Sequence, residues 1–483
     1  MQVTELILIL VLASYLVFSR LIKRKTHQRF VTGLLILILV IHLVFEGYRW
    51  QMIPAYLLWL IAMLTAFRKS DQRSSTFVRV LKTTGLIILL GLAVFFPSIL
   101  PVFKLPQTTG PFAVGTMDIL LELDREEIIT EDTTDARRFM IKVWYPSKEA
   151  DGKEDPYIDK AGRDGFAQKY GLPPSFLYYL DKIKTNVYRN TQIADETFPV
   201  LVFSHGYNSK ANGYYALLKE IVSHGYIIFA INHTYESTGA TFPDGTQKYF
   251  DYEYAGKIEA GTWDIMMPVI EVFESELSFE ERHPTVREGL TTYYVRDIVE
   301  RWAVDILDVV NELDEWNRSG FFEGRLDLSN IGVFGHSRGG GAAGESLLVG
   351  NRIKAGANID GDQWGQIVDT VFQKPFLFLS ADYPEDHQNL NQHAYINKSN
   401  SFFYEATVAQ SGHSNFMDIP YMIPVRALSQ AGSINPDLAI EITGKVITSF
   451  FDKHLKNKKI DLDSLNSEYE MLEVIIYKGD SIN

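Results

Sequence analysis

The stretch IGVFGHSRGGG, residues 331–341, decides how this chain is read. Its first four residues are a short apolar run that fits a buried parallel strand, and AAGESLL at 342–348 is compatible with a helix. Between them Gly335, Ser337 and Gly339 spell G-x-S-x-G. On a strand-to-helix turn this pattern perches the serine on a strained corner, and the glycines let neighbouring backbones pass closely. The bare pattern is weak, because Gly and Ser are common residues. The strand before it and the Gly-rich helix start after it give it weight. A serine hydroxyl is a poor nucleophile until a base takes its proton, so a histidine and an acid should follow.

Four histidines lie beyond Ser337: His387, His393, His413 and His454. His454 falls within a closing helical pattern, and His387 and His393 lie in a polar stretch between two predicted strands. His413, in AQSGHSNF, follows the last apolar run in a glycine-containing loop, where the base of such a fold belongs. The residues leave the acid open. Asp360 ends AGANID, Asp382 ends FLFLSAD, and Asp362 is a weaker third position. A tetrahedral oxyanion needs two backbone N–H donors. One follows the nucleophile, at Arg338. The other belongs after an early strand, where VFSHGYNS turns at Gly206 and offers the N–H of Tyr207.

Outward from this centre, strand and helix patterns alternate. Residues 138–145 alternate like a half-exposed strand; 200–203, 226–231, 355–359, 376–380 and 402–406 are further strand-like runs. Ile298, Trp302, Ile306, Val309 and Leu313 recur at helical spacing. The order predicts an α/β fold of the hydrolase kind, with a mostly parallel central sheet and helices on both faces, over residues 106–456. A polar tail is expected at 457–483. Two insertions, 165–180 and 252–294, are rich in aromatic and apolar residues and could form an apolar lid.

Residues 1–105 differ in kind. They carry a net charge of +9, against −23 for the remainder of a chain whose total is −14. Four apolar stretches, 4–19, 30–45, 53–67 and 83–103, approach the roughly 17–25 residues a bilayer needs, so an all-α four-helix transmembrane anchor is expected. Arg20, Lys23, Arg24, Lys25 and Arg29 fill the first loop, and Arg68, Lys69, Arg73, Arg79 and Lys82 the third. The positive-inside rule puts both loops in the cytoplasm and everything after residue 103 outside it, as a multi-pass cell-membrane protein. No charged residue sits mid-helix; His42 is the single ionisable candidate, expected at an interface. The acidic remainder argues against nucleic acid as a partner. Cysteine is absent, which removes disulfides, thiol nucleophiles and thiolate metal sites.

PFAVGTMDI (112–120), KVWYPS (142–147), FSHGYNS (203–209), INHTYEST (231–238), GHSRGG (335–340), NIDGD (358–362) and SGHSNF (411–416) resemble the platelet-activating factor acetylhydrolases of the plasma type and their bacterial relatives. The resemblance runs from about residue 111 to about 456. It implies a triad of Ser337, Asp360 and His413, with the backbones of Tyr207 and Arg338 as the oxyanion hole. It also implies a serine esterase acting on short-chain acyl esters or phospholipids through an acyl-enzyme, with no metal or organic cofactor. Arg338 stands where the family suggests an apolar residue, and Tyr207 where it suggests a smaller aliphatic one. An acyltransferase with the same triad, or a non-catalytic membrane receptor on the same scaffold, are the alternatives.

Overall fold

The alternating runs become a ten-stranded sheet in the computed structural model, which describes residues 1–18, 25–66, 75–384, 388–400 and 402–477. In chain order the strands are β1 (Ala113–Glu126), β2 (Ala136–Ser147), β3 (Tyr188–Arg189), β4 (Phe198–Ser204) and β5 (Ile227–Asn232). A small hairpin of β6 (Gly239–Thr241) and β7 (Gln247–Tyr249) stands apart from them. The rest are β8 (Leu326–His336), β9 (Ile353–Ile359), β10 (Phe376–Ala381), β11 (Phe403–Val408) and β12 (Leu472–Tyr477). The sheet order is β12-β11-β10-β9-β8-β4-β5-β2-β1-β3. From β5 through β11 all neighbours are parallel. β2 joins β5 and β1 antiparallel, and β12 joins β11 antiparallel.

The helices used below are α1 (Val3–Phe18), α2 (Lys25–Phe45), α3 (Ile53–Ala66), α4 (Thr76–Ile99), α5 (Tyr215–Ser223), α6 (Trp263–Glu274), α7 (Phe279–Thr292), α8 (Val295–Arg318), α9 (Arg338–Val349) and α10 (Pro436–Leu455). Side chains alternate across a strand, and the central strands are apolar on both sides, so both faces need cover. Val200, Val202, Ile331 and Val333 meet Ile298, Trp302, Ile306 and Val309 of α8 in one core. Gly332 and Phe334, of opposite parity, lie against Phe451 of α10. Removing each such side chain from water is worth about 1.5–3 kcal/mol, which makes the sheet a rigid base for the residues at its carboxyl ends.

The chain divides into two compact units. The first is Met1–Lys104 together with Tyr178–Ile183 and Tyr421–Ser429; the second holds the remainder. Within the first, Glu5 and Arg49 are buried and paired, with Arg49 Nη2 2.6 Å from Glu5 Oε2. His42, expected at an interface, is fully buried, 2.8 Å from the Tyr56 hydroxyl and 3.1 Å from that of Thr4. Polar side chains that single-helix patterns treat as end residues thus bond helix to helix. Among the described residues only α4 is both long and apolar enough to cross a bilayer, and the other three are shorter apolar stretches. Arg20, Lys23, Arg24, Arg68, Lys69 and Arg73 lie outside the described residues.

The expected polar tail is a correction. Residues 472–477 pair along the whole of β11 as β12, with Leu472 and Val474 buried and Glu473 between them exposed. That period-two pattern is short and follows a charged stretch, so it is hard to see in sequence, yet it closes one sheet edge.

Candidate active site

β8 ends at His336, Ser337 takes φ 56° and ψ −130°, and α9 begins at Arg338. A non-glycine residue in that region is strained by about 1–3 kcal/mol and persists only where its surroundings enforce it. The turn is enforced by crowding. A Cβ on Gly335 would lie 2.1 Å from the Gly339 carbonyl oxygen, and one on Gly339 would lie 2.2 Å from that of Ser204. The Ser337 N–H donates to the Ile359 carbonyl at 2.9 Å, tying the corner to the end of β9.

Asp360 follows β9 directly, also at positive φ (51°), with its carboxylate buried. His413 Nδ1 lies 2.6 Å from Asp360 Oδ2. The Ala381 N–H and the Tyr383 hydroxyl also donate to this carboxylate, each at 2.7 Å. Burial raises its pKa, but the bonds from His413, Ala381 and Tyr383 outweigh burial and hold the group below the usual carboxylate range. An ionised Asp360 keeps the His413 proton on Nδ1 and leaves Nε2 as the free lone pair. Asp382 has different work: its Oδ2 accepts the Gln410 N–H at 2.7 Å, bracing the loop that leads to His413.

The other histidines lie elsewhere. His393 is buried against Phe279, ring centroids 4.2 Å apart, and His454 bonds the Tyr404 hydroxyl at 3.0 Å. His387 lies outside the described residues. Ser337, Asp360 and His413 line one cavity of about 800 Å³, together with Asp362, Asp382, Glu405 and Arg282. Phe273 and Arg282 reach it from the second insertion. The lining is mostly polar, with Ser380, Thr407, Gln388, Asn391 and Gln392 also on its wall. The expected apolar lid is thus represented in this lining by Phe273 alone: of the other aromatic residues of 252–294, Tyr293 and Tyr294 pack on the core, while Tyr252 and Trp263 are exposed.

Gly206 comes so near the elbow that a Cβ there would lie 3.3 Å from Ser337 Cβ. The Gly206 carbonyl is held by His205 Nδ1 at 2.7 Å and by the Ser209 N–H at 3.1 Å. C=O and N–H of one planar trans peptide point in opposite directions, so these bonds fix the direction of the Tyr207 N–H. Among the described residues neither the Tyr207 N–H nor the Arg338 N–H has an acceptor. The side chains of these two residues stack, with the Arg338 guanidinium carbon 3.8 Å from the Tyr207 ring centroid.

Two residues that sequence reasoning did not single out join these parts. The Gly206 N–H donates to the Tyr214 hydroxyl at 3.0 Å, and Tyr214 bonds His336 Nδ1 at 2.9 Å. With Nδ1 an acceptor, His336 carries its proton on Nε2, which donates to the His413 carbonyl at 3.1 Å. Burial, with His413 alongside, pushes His336 down to about 3, so the ring is neutral. His336 stands inside the quoted GHS motif, but the motif carries no sign of what its ring would touch. His336, Asp360 and His413 are also close enough to offer three ligand atoms to a metal. Both His336 nitrogens and the Asp360 oxygens are already engaged, so that set is a poor cation site.

A second Ser–His–Asp set lies beneath. Ser204 Oγ is 2.9 Å from His233 Nε2, and His233 Nδ1 is 2.7 Å from Asp305 Oδ2. All three are fully buried, and Asp305 also binds Arg137, so this set braces the strand ends and meets no substrate.

The model of the family described as platelet-activating factor acetylhydrolase, isoform II, matches residues 99–474. The platelet-activating factor acetylhydrolase of Canis lupus familiaris is 24% identical over 401 residues, covering 79% of this chain and 83% of that protein. A probable 1-alkyl-2-acetylglycerophosphocholine esterase of Arthroderma benhamiae is 23% identical over 347 residues, covering 66% and 78%. Among solved structures, the ferulic acid esterase of Streptomyces cinnamoneus superposes with a TM-score of 0.60 at 22% identity. It covers 78% of this chain and 100% of that one, a likeness of fold.

Proposed function

This chain belongs to the platelet-activating factor acetylhydrolase, isoform II, family and is a serine ester hydrolase, and from that premise we propose Ser337 as its nucleophile, His413 as its base and Asp360 as its acid. The reading is carried by one observation: a serine at φ 56° opens the same cavity as a histidine bonded at 2.6 Å to a buried carboxylate. Ser337 Oγ attacks the ester carbonyl while His413 Nε2 accepts its proton, and Asp360 stabilises the imidazolium. The oxyanion is received by the N–H groups of Tyr207 and Arg338. The C–O bond breaks, His413 returns the proton to the departing oxygen, and water then releases the acid from Ser337 by the same steps in reverse.

The substrate is a lipid ester with a short acyl group. Arg282 and the carboxylates of Asp362, Asp382 and Glu405 give the cavity both signs of charge, which suits a polar, zwitterionic alcohol part. The first hundred residues are a membrane anchor of four helices, with the catalytic region outside the cytoplasm. Supporting this, Leu10, Val44, Phe45, Leu64 and Ile87 are all more than half exposed on the first unit.

Labelling tests the site. A fluorophosphonate probe should modify the wild-type protein at Ser337 and leave Ser337→Ala unmodified, with ester turnover falling by about 10⁴-fold or more. Full turnover by Ser337→Ala would end this reading.

A further inference from the structure

The second insertion sets one cation into the reaction cavity and gives it no counter-charge. Arg282, near the start of α7, stands on the wall that Ser337 and His413 share. Among the described residues no carboxylate pairs with it, and its Nε is buried without an acceptor. The acids of this region are engaged elsewhere. Asp369 receives Arg287 Nε at 2.6 Å and stands 3.3 Å from His283 Nε2. Glu405 holds Lys398 at 2.5 Å and the Tyr477 hydroxyl at 3.0 Å, Asp382 holds the Gln410 N–H, and Asp360 holds His413. The Arg282 guanidinium is nevertheless braced. Its carbon lies 5.4 Å from the ring centroid of Phe273, which is on the same wall.

A guanidinium keeps its charge at any ordinary pH, and its fork of donors matches phosphate oxygens. His413 returns a proton to the departing oxygen, so the alcohol part of the ester occupies the space beside His413. That space is the cavity on which Arg282 opens. The carboxylates of Asp362 and Asp382 on the same wall narrow the anion further. A phosphomonoester, with a charge of about −1.5 to −2 at neutral pH, meets more repulsion from them than a phosphodiester with a single charge.

We propose that Arg282 determines specificity for the alcohol part: it binds a singly charged phosphodiester there, so that the enzyme selects esters of phosphodiester-bearing alcohols over uncharged ones. The inference rests on the ester-hydrolase reading of the Ser337 site and leaves its chemistry unchanged. The acyl C–O bond breaks, the alcohol departs with its phosphodiester and the proton from His413, and water releases the acid from Ser337.

Three acetyl esters test it on the full chain in nonionic detergent, with acetate release as the assay. Each is 1-butyl-2-acetylglycerol, carrying at its third position a methyl phosphodiester, a phosphomonoester or an uncharged methyl ether. The readout is the ratio of kcat/KM for the diester to that for the ether, which general damage to the site does not move. The wild type should favour the diester by about tenfold, less at high salt, with the monoester below the diester. Arg282→Gln should bring the ratio to about one or below, and Arg282→Lys should keep part of the preference. A wild-type ratio of one, a preference that survives in Arg282→Gln, or a monoester turned over better than the diester overturns the proposal. In each of those cases labelling of Ser337 by the fluorophosphonate leaves the hydrolase reading standing. A wild type that turns over none of the three and resists the probe removes that reading, and this inference with it.

Discussion

His336 acts on the proposed base through its backbone. The bond from Nε2 to the His413 carbonyl exists only in one tautomer, and Tyr214 selects that tautomer by occupying Nδ1. Glutamine can place an amide N–H where Nε2 sits, whereas leucine cannot. His336→Gln should therefore keep most of kcat, while His336→Leu should lose about 10–100-fold in kcat with little change in KM, because small misplacements of a base are expensive. Steady-state kinetics on one chromogenic ester separates the two outcomes. The same residue makes stability depend on pH. Its folded pKa is depressed to about 3, against about 6.5 when unfolded. Between those values the unfolded chain takes up the proton and the folded one does not. Its contribution is thus complete above pH ~6.5 and declines as pH falls towards ~3, by about 1.4 kcal/mol per unit. Urea midpoints of the wild type at pH 5 and 7.5 should differ more than those of His336→Gln. At this scale the sequence marked Ser337 and His413, because motif and chain order constrain both. The residues alone left the acid open, because three aspartates sit at or just after two strand ends; the family resemblance pointed to Asp360, which is the one bonded to His413, while Asp382 holds the Gln410 N–H. Tyr214, His336 and Tyr383 carried no signal, since none belongs to a spacing rule.

Among the elements, α8 was legible for a simple reason: five apolar residues at helical spacing all enter the core. What that spacing hides is Asp305, on the same buried face. It is fully buried, bonded to His233 and Arg137, and the nearby Arg125 also pairs with it. Burial opposes its charge, but Arg137 and His233 outweigh burial and hold its carboxyl far below the usual range. Asp305→Asn keeps the shape and leaves the Arg137 charge without its main partner, so it should destabilise the fold by roughly 3–5 kcal/mol. Chemical denaturation followed by far-ultraviolet circular dichroism would show the shift, and a midpoint within error of wild type would contradict it. β12 taught the converse. LEVIIY is rich in strand-favouring residues, but the run is short and set among polar ones, and the partner that gives it a place in the sheet lies some seventy positions earlier in β11.

For the whole molecule, the contrast between a basic N-terminal region at +9 and an acidic remainder at −23 sets the question of sidedness. An acidic domain gains nothing from an anionic cytoplasmic leaflet, so its hold on a bilayer has to come from the apolar helices. Those helices differ in apolar length: among the described residues α4, at about 36 Å, is the one that is both apolar and longer than the ~30 Å of hydrocarbon, while the apolar part of α2 begins only at Arg29. The shorter ones would reach across with their flanks or by local thinning of the bilayer. The proposed four-span arrangement makes a sharp statement about two loops, and a chain without cysteine is well suited to test it. Tyr48→Cys, between α2 and α3, should react with a membrane-impermeant maleimide on intact cells. Ser75→Cys, just before α4, should react only after permeabilisation. Equal labelling of both positions on intact cells would show that fewer than four helices cross. The reverse pattern would put the catalytic region in the cytoplasm and confine its substrates to the inner leaflet.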